Sequence, residues 1–288
     1  MRLASFSHGD RPSFGVVVAG GFVDLGARTG AASLKALLND GAGALEGFET
    51  MTPDLGFEET AWLPPIPDAA HIIGIGLNTR SHFEETAALM KRAPGDYPKR
   101  PRLFMRSPFS HVAHDAALLI PRASDWLDYE GEVALVIGKP GRYVPREQAL
   151  DHVAGYACYN DGSVRDFQAH STQVTAGKNF AHSGAFGPWL VTADEVGDPA
   201  ALSLQSYVNG ERRQNLIMDD LIFDFAELVA YISQIFPLQS GDVILTGSPA
   251  GVGAISRTWL REGDVVEIAS PQLGLLRNHV AREGDASA

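Results

Sequence analysis

Apolar positions along the chain fall in short runs broken by glycine- and proline-rich turns, which predicts strands more often than helices. VVVAGGFVDLG (16–26) predicts a hairpin turning at Gly20-Gly21, and AASLKALLND (31–40) predicts an amphipathic helix closed by Gly41. IIGIGLN (72–78) predicts a buried strand, and Ser81 to about Arg92 a helix. EVALVIG (132–138) reads as a strand and REQALDHV (146–153) as a short helix. Further strands are expected at GYACYN (155–160), GPWLVT (187–192), LSLQSYVNG (202–210), DVILTG (242–247), DVVEIA (264–269) and LGLLRNHV (273–280). Asp224 to Phe236 is the clearest helix: Phe225, Leu228, Val229, Ile232, Ile235 and Phe236 follow helical spacing and are expected in the core. The closing EGDASA (283–288) is expected to be disordered. Strands outnumber helices and do not alternate with them, which points to an α+β fold. The prolines of WLPPIPD (62–68) interrupt both helix and central strand. The stretch is therefore read as a linker between a small unit, residues 1–65, and a main domain, residues 66–288.

Composition narrows the function. The 288 residues carry 23 Lys+Arg against 35 Asp+Glu, a formal charge of −12, which argues against nucleic acid or an anionic membrane as partner. No apolar run is long enough to span a bilayer, and the first residues lack the apolar core of a signal peptide. Cys158 is the only cysteine, so neither an internal disulfide nor a Cys-x-x-Cys zinc site can form. A cytoplasmic protein is the expectation.

Two glycine motifs fall short of known signatures. Gly74-Ile75-Gly76 lacks the third glycine of a dinucleotide fingerprint, since position 79 is Thr79. TGSPAGVG (246–253) lacks the Lys of a phosphate loop. It reads either as a tight turn or as a loop offering backbone N–H groups and the hydroxyls of Thr246 and Ser248 to a small anion.

Asp128-Tyr129-Glu130-Gly131-Glu132 carries more information. On a strand Glu130 and Glu132 project to the same face, with Cα atoms about 6.8 Å apart. Like charges this close need a counter-cation or a solvated surface. Asp161, at the end of GYACYN, can turn towards them and complete an all-oxygen set suited to Mg²⁺, Mn²⁺ or Ca²⁺ rather than zinc. At the helix beginning near Ser81, Ser81 and Glu84 fit a capping box. His82 and Glu85 are three residues apart and can pair, either as an ordinary surface ion pair or as a general base whose tautomer the carboxylate fixes. Lys178 is either a surface lysine or a group that meets developing negative charge.

Six motifs in order carry a resemblance: GIGLNTRSHFEE (74–85), DYEGEVALVIGK (128–139), YNDGSVRDFQ (159–168), GKNF with GPW (177–189), VNGERRQ (208–214) and GDVILTGSPAGVG (241–253). From His71 to about Val280 the chain resembles the fumarylacetoacetate hydrolase superfamily, including its hydroxymuconate isomerase-like members. The resemblance implies a mixed β-sheet roll with peripheral helices, a small N-terminal domain and a homodimer. It implies Glu130, Glu132 and Asp161 as ligands of Mg²⁺ or Mn²⁺, and His82 with Glu85 as a water-activating dyad on a lid. Lys178 and Gln168 match residues that contact substrate oxygens, and Ser248, with Thr246 beside it, lines the same pocket. The chain departs from the family in three places. Thr79 replaces a frequent Tyr. Ala181 and His182 replace Asp-Thr, which makes His182 a candidate substrate contact. Arg106 stands where Lys is frequent and, as a bidentate carboxylate partner, suggests a dicarboxylate substrate.

The resulting expectation is a metal-dependent hydrolase that cleaves a C–C bond in an acylpyruvate or related diketo acid. The alternatives are an isomerase or decarboxylase using the same metal site, and a binding protein without turnover.

Overall fold

The computed structural model describes residues 1–39, 45, 47–87, 91 and 93–284. Among them stand three sheets and a few short helices, the α+β architecture expected. The twelve-stranded mixed sheet is built around strand Gly131–Ile137, antiparallel to Val153–Asn160 on one side and to Val243–Leu245 on the other. Beyond Val243–Leu245 come Ile72–Gly76, in parallel, and the edge strand Arg102–Arg106. On the other side Val153–Asn160 pairs with Gly184–Thr192. A five-stranded sheet runs Glu211–Ile217, Ser203–Val208, Val265–Ser270, Gly274–Arg282, Leu118–Ile120.

The all-apolar run VALVI explains why its strand is central. Val133, Leu135 and Ile137 pack into one core, while Ala134 and Val136 face a second. A strand covered on both faces carries a continuous apolar run rather than an alternating one.

Strand Arg2–His8 pairs with Gly184–Thr192 in the register Leu3↔Leu190, so the hydrogen-bond ladder runs from the first residues into the large sheet. Arg11–Val18, Gly21–Asp24 and Leu55–Gly56 extend it outward. Trp62 and Leu63, expected in a linker, belong to strand Ala61–Leu63, which pairs with Arg2–His8. The prolines begin only at residue 64, so the preceding N–H groups are available to pair. The first hairpin turns one residue earlier than expected, at Ala19-Gly20, with Val18 opposite Gly21. Gly20 has a φ of 85°, as the turn requires.

Helix Phe225–Ile235 begins at Asp224, whose side chain accepts from Glu227 N. Phe225, Leu228, Val229 and Ile232 are buried as expected; Ile235 is exposed because the helix ends there. Residues 146–152 form a 3₁₀ helix. Helix Arg80–Ala87 begins one residue before Ser81, so Ser81 is not its cap: Thr79 Oγ1 accepts from His82 N at 3.3 Å. Ser81 instead donates to Asp220, and Glu84 accepts from Gly95 N at 2.9 Å. The rest of the helix expected to Arg92, the close of that expected at 31–40 with Gly41, and most of the expected disordered tail involve residues outside those described. No described helix is long and apolar enough to cross a membrane.

Candidate active site

Two adjacent strands bring the carboxylates together. Gly131 lies opposite Asn160 and Glu132 opposite Tyr159, which sets Glu130 and Glu132 beside Asp161. Asp161 N donates to Glu130 O at 2.7 Å and Glu130 N to Asn160 Oδ1 at 2.9 Å, so the backbone of each ligand position is pinned. All three side chains are buried, each offering an oxygen within 4.8 Å of the others. One hard cation spans oxygens up to twice its metal–oxygen distance apart, about 4.2 Å for Mg²⁺ and about 5 Å for Ca²⁺. At up to 4.8 Å the set lies within the span of Ca²⁺, and a smaller ion such as Mg²⁺ would draw the carboxylates slightly closer.

Burial of so much negative charge demands partners. Lys178 Nζ donates to Glu130 Oε2 at 2.6 Å and to Asp161. Arg165 Nη2 lies 2.7 Å from Glu130 Oε1, an ion pair bent away from hydrogen-bond geometry, and its Nε donates to Asp128 Oδ2 at 2.8 Å. Arg106 Nη1 donates to Asp161 Oδ1 at 2.5 Å. Glu132 has no cation of its own; Gly247 N donates to its Oε2 at 2.7 Å. The buried carboxylates thus divide. Burial opposes the ionised form of Glu130, but Arg165 and Lys178 outweigh it and hold its pKa well below the usual range. Burial, then the charges of Asp161 and Glu130, push Glu132 well above it. Burial also raises Asp161 and Asp128 despite their basic partners. Among the described residues, Glu132 is the one carboxylate of the three without an ion-pair partner.

The dyad is formed. His82 Nδ1 lies 2.6 Å from Glu85 Oε1, and Gly251 N donates to Glu85 Oε2 at 3.0 Å. His82 is buried apart from the part that lines a cavity of about 690 Å³. Glu130, Glu132, Asp161, Lys178, Gln168 and Ser248 line the same cavity. The pair is therefore not a surface ion pair, and Lys178 is not a surface lysine.

Ser248 lines the cavity and Thr246 does not, so the loop TGSPAGVG meets its anion-binding reading only in part. Its backbone N–H groups are spent on the protein's own carboxylates: Gly247 on Glu132, Gly251 on Glu85, and Gly253 on Asp128 at 2.8 Å. Thr246 is fully buried, donates to Val133 O at 2.9 Å and does not line the cavity.

Arg106 and His182 are likewise misplaced as substrate contacts. Arg106 is buried and all five of its N–H donors are taken, by Asp161, Gly162 O, Ser110 Oγ, Ser110 O and Ser183 Oγ. It supports a ligand rather than greeting a substrate. His182 is exposed in a left-handed turn, φ 56°, outside the cavity lining. Sequence reasoning passed over Arg165 and Asp128, although both lie in quoted motifs. Their only signal was that each is a charged residue inside a quoted motif, and buried charges come in pairs.

The chain is similar to several known proteins. Oxaloacetate tautomerase YisK of Bacillus subtilis (strain 168) is 37% identical over 220 residues, 75% of this chain and 71% of that protein. The 2,4-didehydro-3-deoxy-L-rhamnonate hydrolase of Sphingomonas sp. (strain SKA58) is 35% identical, covering 83% of this chain and 82% of that protein. The crystal structure of maleylpyruvate hydrolase from Sphingobium sp. SYK-6, in complex with manganese(II) and pyruvate, superposes with a TM-score of 0.81 at 29% identity. It covers 99% of this chain and 100% of that one. Residues 71–281 match the fumarylacetoacetate (FAA) hydrolase C-terminal family, and the chain belongs to that family.

Proposed function

We propose that this protein is a divalent-metal-dependent hydrolase that cleaves a C–C bond in a small acylpyruvate or diketo acid. The observation that carries the reading is the His82–Glu85 pair facing the Glu130–Glu132–Asp161 set across one cavity. Mg²⁺ or Mn²⁺ held by the three carboxylates would act as a Lewis acid on the adjacent carboxylate and keto oxygens of the substrate head. His82, its Nδ1 fixed by Glu85, keeps Nε2 free to take a proton from water, and the water attacks the distal carbonyl. Lys178 and the amide of Gln168 stand where negative charge on substrate oxygens develops. The apolar walls, among them Leu103, Phe104 and Val252, keep bulk water from the reacting carbons.

A second reading is tautomerisation or isomerisation, with decarboxylation as its relative, at the same site. It is favoured by the tautomerase among the relatives and by the 5-carboxymethyl-2-hydroxymuconate delta-isomerase of Mycobacterium smegmatis, TM-score 0.78 at 29% identity. In that case His82 would remove and return a proton on carbon without consuming water. Incubation with a panel of acylpyruvates, hydroxymuconate-type dienes and oxaloacetate, with Mg²⁺, Mn²⁺ or EDTA, separates the readings. Two fragments with uptake of water support hydrolysis; an isomer of unchanged mass, or a product that has lost carbon dioxide without uptake of water, supports the second reading. Activity that survives EDTA overturns both, and ligand binding with no turnover on any substrate would make the chain a binding protein.

A further inference from the structure

The edge strand Arg102–Arg106 contributes its first four residues to the cavity wall. Its alternate residues Arg102, Phe104 and Arg106 share one face. At one end Arg106 is bonded to Asp161; in the middle Lys178 Nζ lies 5.1 Å from the Phe104 ring; at the other end Arg102 is exposed and lines the cavity. Four residues of strand separate the two arginines by roughly 14 Å between Cα atoms.

The two arginines are in opposite states. Arg106 has spent every donor. The other cations of the cavity wall, Lys178 and Arg165, are held by Glu130, Asp161 and Asp128. Among the described residues, no carboxylate pairs with the Arg102 guanidinium. The same cavity is lined by neutral polar side chains, among them Thr172, Gln173 and Gln168, whose Oε1 accepts from Arg165 at 2.9 Å. A guanidinium without a carboxylate partner, on the wall of a cavity in a protein of charge −12, is a receptor for an anionic oxygen group.

We infer that Arg102 is a specificity-determining residue, which takes a carboxylate at the end of the substrate remote from its 2-oxo acid head. The inference rests on the proposed reading of the triad as the seat of that head. It moves the dicarboxylate preference from Arg106 to the opposite end of the same strand, and it requires a chain long enough to bridge the two ends. A four-carbon diacid is too short to profit fully from it.

The test is calorimetric binding, with Mg²⁺ present, of two six-carbon 2-oxo acids that differ only at the far end: 2-oxoadipate, which ends in carboxylate, and 2-oxohexanoate, which ends in methyl. The protein should favour the diacid by about 10-fold or more, as expected for one charge-assisted contact. In Arg102→Gln that ratio should fall to near one, and in Arg102→Lys it should be partly restored. Equal binding of both acids by the native protein, or a ratio untouched by Arg102→Gln, overturns the assignment while leaving the head site standing. If neither acid binds with Mg²⁺ or Mn²⁺, the 2-oxo acid reading itself falls and the assignment with it.

Discussion

Glu85 accepts from His82 Nδ1 through one carboxylate oxygen and from Gly251 N through the other, so His82 is tethered to the loop that also holds Glu132. The dyad and the metal set are thereby parts of one hydrogen-bonded unit, yet they share no side chain. His82→Ala should lower turnover by about 100-fold or more, the usual scale for a positioned base, while the affinity for Mn²⁺ measured by titration stays as in the native protein. Loss of Mn²⁺ binding in that variant would mean that His82 belongs to the metal set.

Glu132 offers a test by pH. Its pKa is raised in the folded state, by burial and by the charges of Asp161 and Glu130, so the folded form holds its proton more tightly than the unfolded chain. Stability should therefore fall as pH rises from the ordinary carboxylate range through the raised value. Glu130 works the other way, its lowered pKa contributing stability that is lost as pH falls below that range. Glu132→Gln should abolish divalent-metal affinity but leave the EDTA-treated protein as stable as native or more so above about pH 5, as followed by thermal melting. Marked destabilisation without metal would show that Glu132 is a structural anion.

Arg106→Ala should be severe for the opposite reason. It takes the guanidinium from Gly162 O, Ser110 and Ser183 in a buried site and leaves Asp161 with Lys178 alone. Breaking such a buried pair costs about 3–5 kcal/mol, which denaturant unfolding would register. A change below about 1 kcal/mol, in the range of surface ion pairs, would place the guanidinium in solvent.

Cys158 provides a reporter of the central sheet. Burial pushes its thiol up to about 12, and it sits between Val133 and Gly187 in the ladder. At pH 8 it should resist thiol reagents in the native protein and react fully in denaturant. Prompt reaction of the native protein would reveal local opening of the strand that leads to Asp161.

The parts of this site that were legible in the sequence are those whose spacing repeats with the element. Glu130 and Glu132 share a face because a strand alternates, and His82 meets Glu85 because a helix returns every three to four residues. Most strands were equally visible as apolar runs. Arg102–Arg106 was not, because RLFMR has arginines at both ends, and those charges make sense only once one is buried against Asp161 and the other faces a cavity. The same holds for Arg165. Its partners Asp128 and Glu130 lie over thirty residues away in sequence, and no local period relates them. The loop at 246–253 looked like an anion cradle, and its anions proved to be side chains of the protein itself. Backbone donors advertise an affinity, and only the fold decides what satisfies it.

The strand Gly131–Ile137 is sealed by a different hydrophobic core on each face and hydrogen-bonded on both edges. Such a strand has no private route to opening, since freeing its amides means parting both cores at once. Glu132 is carried on that strand and Glu130 on the residue before it. Their exchange-protected backbone and the protein's global unfolding should share one clock, so the carboxylates stay in place for as long as the molecule remains folded.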